Sequence, residues 1–320
     1  MSVRFLVSVS FRCTVLAASL LAAAGALHAQ NTSVSTDPVG AVVLNFLGSS
    51  DTLVSLPLQQ PVSLESTVAS VTGNVVNLNL SGANLTANQY VYQGSGTSTY
   101  YAQFITGNRE GMYYTITAND NASNVTLDLA GDTGFSGNVN VGDSVQIIPY
   151  WTLNTLFPNG NGTLPSSSFG AATRQSEVLF PDIVDAGTNL AFTGIYYYYN
   201  GTANGGAGWR QSGVPGTIVN DLVVTPDTAF IVRLNEATNT TTTLVGSVSM
   251  GGFSTPLSTL AANTQQDIVV GVAVPANITL LQSNLSAVFT PSTSFGAAQR
   301  KDQLLVYSNS TPGQNKAFPT

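Results

Sequence analysis

The sequence offers one thiol and one imidazole, and both lie near its N-terminus. Cys13 and His28 are the sole cysteine and the sole histidine among 320 residues. They fall in a stretch with the pattern of a secretion signal, so the mature chain is expected to carry neither group. Their loss removes most nucleophilic, acid–base and transition-metal chemistry and leaves carboxylates as the main reactive groups.

Carboxylates could still form a hydrolytic pair or bind Ca²⁺. A glycosidase needs two carboxylates roughly 5–10 Å apart, which Asp182 with Asp185, or Glu110 with an aspartate, would have to supply. Calcium prefers oxygen ligands, and neighbouring turns offer them at Asp120, Asn121, Asp128, Asp132 and Asp143. Their spacing fits no calcium loop, and capping of turns explains these aspartates better. We therefore predict no catalytic residue, no metal and no cofactor.

Residues 1–29 are predicted to be a signal peptide. Two arginines precede the apolar run 13–27, which suits a signal core of ~7–15 residues and is too short for a membrane span of ~20. Cleavage is expected after Ala29, with a cut after Ala26 as the alternative. The protein is therefore expected in the periplasm, on the cell surface or outside the cell, with no transmembrane segment in its mature chain.

The composition after cleavage is acidic and poor in charge. Of nine Lys and Arg residues two belong to the leader, so seven remain against sixteen Asp and Glu, a net charge of −9. Nucleic acids and anionic membranes demand basic patches and are disfavoured as partners. Because no cysteine remains for a disulfide, a hydrophobic core must supply the stability.

Short runs of Val, Thr and aromatic residues alternate with turn residues along the chain. In residues 75–80, Val76, Leu78 and Leu80 share one face, as in a half-buried strand. Similar runs occur at 42–44, 54–58, 113–117, 125–129 and 145–148. This spacing predicts antiparallel sheets and an all-β fold.

A ten-residue motif occurs twice. Residues 165–174 (PSSSFGAATR) and 291–300 (PSTSFGAAQR) are identical at eight positions. Weaker matches extend the repeat, which we assign to 51–64 with 149–182 in the first copy and to 267–308 in the second. The two copies predict a β-sandwich built from two related halves.

The two copies differ in length, and the difference predicts an inserted domain. Asp51 and Leu153 lie 102 residues apart, whereas the equivalent Asp267 and Leu285 lie 18 residues apart. The excess of 84 residues has the size of a small domain. The predicted domains are 30–66 plus 149–320 for the main β-sandwich and 67–148 for an inserted small β-barrel.

The repeated motif is the first candidate ligand site. Arg174 and Arg300 could bind anionic groups. In the alternative, a structural corner, the glycines permit a tight backbone and the arginines bond nearby carbonyls or Asp182 and Asp302. Duplication within a symmetric fold favours the structural corner. The motif residues concerned are Phe169, Gly170, Arg174, Phe295, Gly296 and Arg300.

Aromatic side chains form the second candidate site. Trp151, Tyr197, Tyr199 and Trp209 could provide a platform on which a sugar ring stacks. On a strand Tyr197 and Tyr199 face one way and their neighbours the other, so at most half of this tyrosine run could meet one ligand. Cross-strand aromatic packing is the plainer explanation.

Several segments resemble a family of uncharacterised, signal-bearing bacterial proteins. They are Asp51–Leu58 (DTLVSLPL), Glu110–Asn119 (EGMYYTITAN), Leu156–Gly160 (LFPNG), Glu177–Asp182 (EVLFPD) and Arg300–Val306 (RKDQLLV). The resemblance covers nearly the whole mature chain and implies export and a shared fold. It implies no activity, substrate or catalytic residue.

Together these features predict an exported, non-enzymatic structural or adhesive protein of the cell surface or extracellular matrix. The alternatives are a carbohydrate-binding module and a carboxylate-dependent glycan hydrolase. The expected partners are a glycan or a second copy of the chain that pairs through sheet edges.

Overall fold

The computed structural model describes residues 38–94, 96–158, 164–257, 260–261, 264–296 and 299–316. The predicted signal peptide at 1–29, with Cys13 and His28, lies outside these residues. Within them the prediction of an all-β fold is confirmed.

The described residues contain sixteen strands. In chain order they are β1 Val39–Phe46, β2 Ser50–Ser55, β3 Leu64–Thr72, β4 Val75–Leu78, β5 Tyr100–Phe104, β6 Tyr113–Asn119, β7 Asn124–Asp128, β8 Ser144–Pro149, β9 Trp151–Thr152, β10 Ser176–Phe180, β11 Gly194–Tyr199, β12 Gly208–Gln211, β13 Val214–Ile218, β14 Val223–Val224, β15 Ala229–Leu234 and β16 Thr240–Ser247. One-turn helices are α1 Phe135–Asn138, α2 Leu153–Leu156 and α3 Leu285–Val288, and Ala171–Thr173 forms a 3₁₀ turn.

Six consecutive strands close into a barrel. Their order is β3-β4-β7-β6-β5-β8, and the barrel closes where β8 pairs with β3. Alternate residues point inward, so each strand contributes one apolar face to a shared interior. Phe135 of α1 plugs this interior, with its ring 5.6 Å from that of Phe104 and 4.9 Å from that of Tyr114.

The barrel contains the segment predicted as an insertion. Its strands begin at Leu64 and end at Pro149, so the predicted range 67–148 lies inside it. The β3–β4 hairpin turns at Gly73, whose φ of +61° lies in the left-handed region that glycine favours. Independent folding of this segment stays a prediction.

The larger part of the fold is a six-stranded antiparallel sheet with a smaller layer packed on it. The sheet order is β13-β12-β11-β10-β15-β2, so β2 forms one edge. The ribbon β1–β16 forms the second layer. Its Phe46 and Leu244 join Phe157, Trp209 and Phe230 in one buried cluster. Full burial of side chains of this size contributes about 1.5–3 kcal/mol each.

Tyrosines join the barrel to the sheet domain. The Tyr113 hydroxyl donates to Asp227 Oδ1 at 2.6 Å, and the Tyr113 ring stacks on Phe253 with the ring centroids 5.9 Å apart. Farther along, the Tyr92 hydroxyl donates to Asp221 Oδ2 at 3.1 Å. These tyrosines of the predicted insert therefore make packing contacts and join the barrel to the rest of the fold.

The second copy of the repeat differs in structure from the first. Residues 51–55 form β2 and 176–180 form β10, whereas the described part of 267–308 contains α3 and no strand. The second layer of the sandwich is thus the β1–β16 ribbon, and the sequence repeat is not matched there by a repeat of strands. The two copies also differ in sequence here, since Glu177, which pairs with Arg174, is replaced by Gln303 at the equivalent position.

Candidate functional site

The outer edge of β2 is the candidate site, because no strand of the described residues pairs with it. On its inner side β2 pairs with β15 from Ser50 to Ser55. Backbone groups alternate in direction along an antiparallel strand, so those of residues 51, 53 and 55 point away from β15. These groups form the side of β2 that faces away from the rest of the sheet.

A polar C-terminal segment, residues 307–316, covers this edge, and we call it the strap. The backbone N–H of Asp51 donates to the carbonyl of Gly313 at 2.9 Å. The side-chain amide of Asn309 bonds to both backbone groups of Leu53. Its Oδ1 accepts from the Leu53 N–H at 2.8 Å, and its Nδ2 donates to the Leu53 carbonyl at 2.8 Å. An asparagine side chain thus stands where a neighbouring strand would otherwise bond.

A buried ion pair anchors the strap. Arg233 on β15 makes a bidentate pair with Asp51, Nε to Oδ1 at 2.7 Å and Nη2 to Oδ2 at 2.9 Å. Asn315 joins both, because its N–H donates to Asp51 Oδ2 at 2.7 Å and its Oδ1 accepts from Arg233 at 2.8 Å. Asp51 is only 1% exposed. Its hydrogen bond raises the pKa of Arg233 above the ordinary value, against the opposing effect of burial.

Lys316 bonds to other residues of the strap. Its Nζ donates to the carbonyls of Ser308 and Thr311, each at 2.9 Å, and lies 4.7 Å from the ring centroid of Tyr307. Burial lowers the pKa of Lys316, whereas burial raises the pKa of Tyr307 to about 12. The strap is therefore a self-bonded loop held to the sheet at a few points.

An apolar groove of about 420 Å³ runs between β1 and β2 beside the strap. Its lining residues are Val43, Leu44, Asn45, Phe46, Leu47, Thr52, Leu53, Val54, Asn309 and Ser310. The buried hydroxyl of Thr52 has no hydrogen-bond partner among the described residues. This edge groove therefore combines apolar walls, one unsatisfied hydroxyl and a strand edge.

The first copy of the repeated motif is a structural corner. Arg174 is buried, and its Nη1 donates to Glu177 Oε1 at 2.9 Å and to Ser212 Oγ at 3.1 Å. Its guanidinium lies 4.4 Å from the ring centroid of Tyr197. Both terminal nitrogens of the arginine bond to protein groups, whereas its buried Nε has no hydrogen-bond partner among the described residues, so the side chain packs as part of the fold.

The rest of the first motif also packs internally. The ring of Phe169 stacks on Tyr199 at 4.1 Å, and the carbonyl of Phe169 accepts from Arg174 Nη2 at 3.4 Å. Gly170 precedes the 3₁₀ turn, and its carbonyl accepts from the N–H of Thr173 at 3.0 Å.

In the second copy the equivalent residues are exposed. The Phe295 side chain is fully exposed, and Gly296 and Arg300 are exposed as well. Asp302 accepts from the N–H of Thr290 at 2.6 Å, which closes the segment locally. The alanines at 297 and 298 lie outside the described residues.

The aromatic residues of the candidate sugar platform lie in packing contacts within the fold. Trp209 and Tyr197 are completely buried and Trp151 is nearly so, while Tyr199 stacks on Phe169. The reason is that β11 lies inside the sheet with both faces covered. The Trp151 indole donates to the carbonyl of Leu58 at 2.8 Å, as a core tryptophan does.

The candidate carboxylates hold turns. Asp182 Oδ1 accepts from the N–H groups of Val184 and Asp185, which lower the pKa of Asp182. Asp120 has a lowered pKa because Asn124 donates to it from side chain and backbone. Among the described residues, no group of three or more His, Cys, Asp or Glu side chains could hold a metal ion.

The three other candidate aspartates also accept hydrogen bonds. Asp132 accepts from Arg109 at 2.7 Å and from the Tyr114 hydroxyl at 2.7 Å, within the barrel. Asp143 Oδ2 accepts from the N–H of Asn140 at 2.8 Å, and Asp128 Oδ1 accepts from the N–H two residues ahead. Each of these three carboxylates is thus engaged by donors within the segment 64–149.

The contacts that the strap makes with β2 and β15 cannot be predicted from the sequence. Asp51 and Arg233 are 182 residues apart, and Asn309 acts on a strand 256 residues earlier. The segment around Gly313 has a turn-like composition, which is its only signal in the sequence.

No helix in the described part of the chain is long and apolar enough to cross a bilayer. The chain matches no protein-family model, no curated protein and no solved structure.

Proposed function

We infer that the protein is exported and serves as a non-enzymatic structural or adhesive component of the cell surface or extracellular matrix. The observation that supports this function best is the edge groove, where a strand edge and an apolar wall lie side by side. Such a surface suits non-covalent pairing with another polypeptide, because backbone bonds give affinity and apolar contacts exclude water.

The positions of the other candidate groups support the same function. A sugar platform needs exposed rings, and Trp151, Trp209 and Tyr197 are buried. A glycosidase needs two free carboxylates that face each other, whereas Oδ1 of Asp182 accepts from the backbone N–H groups of Asp185 and Val184.

Export is tested by fractionating the native cells and determining the N-terminus of the protein by mass spectrometry. We expect the chain to start at Gln30, or at Leu27 for the alternative cut, and to occur in the periplasm, the envelope or the medium. A full-length chain that remains in the cytoplasm would overturn the proposed function.

The non-enzymatic role is tested on the purified mature protein. We expect no binding on a glycan array, no change in tryptophan fluorescence with oligosaccharides and no turnover of polysaccharides. Turnover that disappears in the variant Asp182→Asn/Asp185→Asn would establish the hydrolase instead. Saturable glycan binding would establish the carbohydrate-binding module.

A further inference from the structure

We propose that the strap is a removable cover of β2, and that the uncovered edge pairs with β2 of a second copy of this chain. The two strands run antiparallel about Leu53 and join two six-stranded sheets into one. This inference rests on the proposed function, since it names the partner of the same edge.

The strap occupies bonding positions that a strand would take. It satisfies Asp51 N–H and both backbone groups of Leu53. The two bonds at Leu53 come from a side chain, so Asn309 imitates a peptide unit without forming a strand. Natural sheets often cover an edge with a loop in this way to prevent pairing between molecules.

The strap has the character of a segment that can leave. It is polar, and its exposed residues are Asn309, Ser310, Thr311, Pro312, Gln314 and Asn315. Its bonds to β2 come from Asn309 and from Gly313, which also bonds to the Ser50 hydroxyl. Gln314 donates to the carbonyl of Leu234 and to Asn235 Oδ1, and Asn315 contacts the Asp51–Arg233 pair. The sheet keeps this ion pair when the strap departs, because Arg233 belongs to β15.

The sequence of β2 is compatible with a symmetric antiparallel pair. When Leu53 faces Leu53 of the second copy, Asp51 faces Ser55 and Thr52 faces Val54. The outward backbone groups at 51, 53 and 55 then all meet outward groups of the other strand. No carboxylate faces a carboxylate, and Arg233 already neutralises each Asp51, so the two edges approach without repulsion.

The edge groove favours the same partner. It lies beside Leu53 and between β1 and β2, where a strand added to the edge would run along its apolar wall. A two-fold pair presents the same patch twice, so each copy covers the groove of the other.

The test loosens the strap in the full mature chain with Asn309→Ala/Gln314→Ala/Asn315→Ala, which removes its side-chain bonds to Leu53, Leu234, Asn235 and Arg233. We expect light scattering after size-exclusion chromatography to show a dimer whose dissociation constant is at least about tenfold lower than that of the unaltered protein. The matched control replaces two exposed asparagines of barrel loops, Asn121→Ala/Asn140→Ala, and should behave as the unaltered protein does.

The register of the proposed strand pair is tested by replacing Leu53 with a charged residue in the strap-released chain. Leu53→Lys places two ammonium groups opposite each other, so the dimer should be lost, and Leu53→Glu should lose it as well. A mixture of the two should form a heterodimer, which native mass spectrometry identifies by its mass.

Three outcomes would overturn the inference: a folded, strap-released chain that stays monomeric, a dimer that survives Leu53→Lys, or a mixture that forms no heterodimer. A monomeric result leaves the proposed function standing, because export and glycan binding are measured separately. If the triple variant fails to fold, the single variant Asn309→Ala, which frees both backbone groups of Leu53, is combined with Leu53→Cys instead. Its disulfide-linked dimer supports the dyad, and failure to cross-link under oxidising conditions contradicts it.

Discussion

Arg233 holds Asp51 in a bidentate ion pair across the β15–β2 ladder, 2.7 and 2.9 Å long, at the edge that the strap covers. The two residues face each other in the strand register. This pair links the stability of the sheet to the attachment of the strap, because Asn315 bonds to both partners.

Removal of Arg233 should be strongly destabilising. Arg233→Ala leaves the carboxylate of Asp51 buried without its cation, and we expect the free energy of unfolding to fall by about 3 kcal/mol. Denaturant titration measures the change. The double variant Asp51→Asn/Arg233→Met should lose less than the single one, and an equal or greater loss would contradict this account.

Replacement of the two arginines of the repeated motif by alanine should change the free energy of unfolding by different amounts. Arg174→Ala removes a buried cation that bonds to Glu177 and Ser212, so the free energy of unfolding should fall by about 3 kcal/mol. Arg300→Ala changes an exposed residue and should stay within about 0.5 kcal/mol of the unaltered protein. Equal effects in denaturant unfolding would show that both copies have the same structural role.

Gln103 on β5 is a stabilisation target. Its side chain is completely buried, and neither its nitrogen nor its oxygen has a hydrogen-bond partner among the described residues. Gln103→Met removes two unsatisfied polar atoms at similar volume, so the free energy of unfolding should rise by about 1 kcal/mol.

A fully bonded amide provides the control for Gln103. Asn119 accepts from Tyr90 N–H and donates to the carbonyls of Thr86 and Asp120. Asn119→Leu should therefore lower the free energy of unfolding by about 1–3 kcal/mol. A loss of stability in Gln103→Met would indicate that its amide has a partner in solution.

Tyr101 should contribute to unfolding at alkaline pH. Burial raises its pKa above the ordinary value of 10.0, with a smaller effect from Tyr150. The folded state thus keeps the phenol proton more tightly than the unfolded state, and stability is complete below pH 10.0 and declines above it. In Tyr101→Phe this decline should be smaller, as urea titrations from neutral pH to about pH 11 would show. An unchanged alkaline decline would contradict the assignment to Tyr101.

Deletion of the barrel tests the predicted domain organisation. A chain that lacks residues 64–149, with a short glycine-rich link from Ser63 to Tyr150, should unfold cooperatively by calorimetry. We expect lower stability than in the full chain, because Phe253 loses its contact with Tyr113. An insoluble product, or one without a cooperative transition, would show that the sheet domain needs the barrel.

Local patterns made the fold class predictable from sequence. Alternation at Val76 and Leu78 marks a strand with one buried face, and both side chains lie in the barrel interior. Such alternation depends only on neighbouring residues, so no knowledge of distant contacts is needed.

Features that depend on contacts between residues far apart in the sequence were not predictable in this way. Tyr197 and Trp209 have the composition of a sugar platform, but Arg174 covers one face of β11 and the core covers the other. The motif at 291–300 repeats eight residues of the first copy and still lacks its structure. Sequence identity within the motif does not reveal that the ion-pair partner Glu177 lies outside it.

The pairing that closes the barrel determines how it would respond to mechanical tension. Leu64 and Ile147 face each other where the chain enters and leaves. A pulling force transmitted along the polypeptide would therefore peel β3 from β8 one bond after another, instead of shearing the whole ladder at once. At about 3.3 Å per residue, the released segment would lengthen the molecule by roughly 280 Å. The chain on either side of the barrel belongs to the sheet part, at β2 and β9, so a force applied beyond β1 and the strap would reach the barrel only after that part opens.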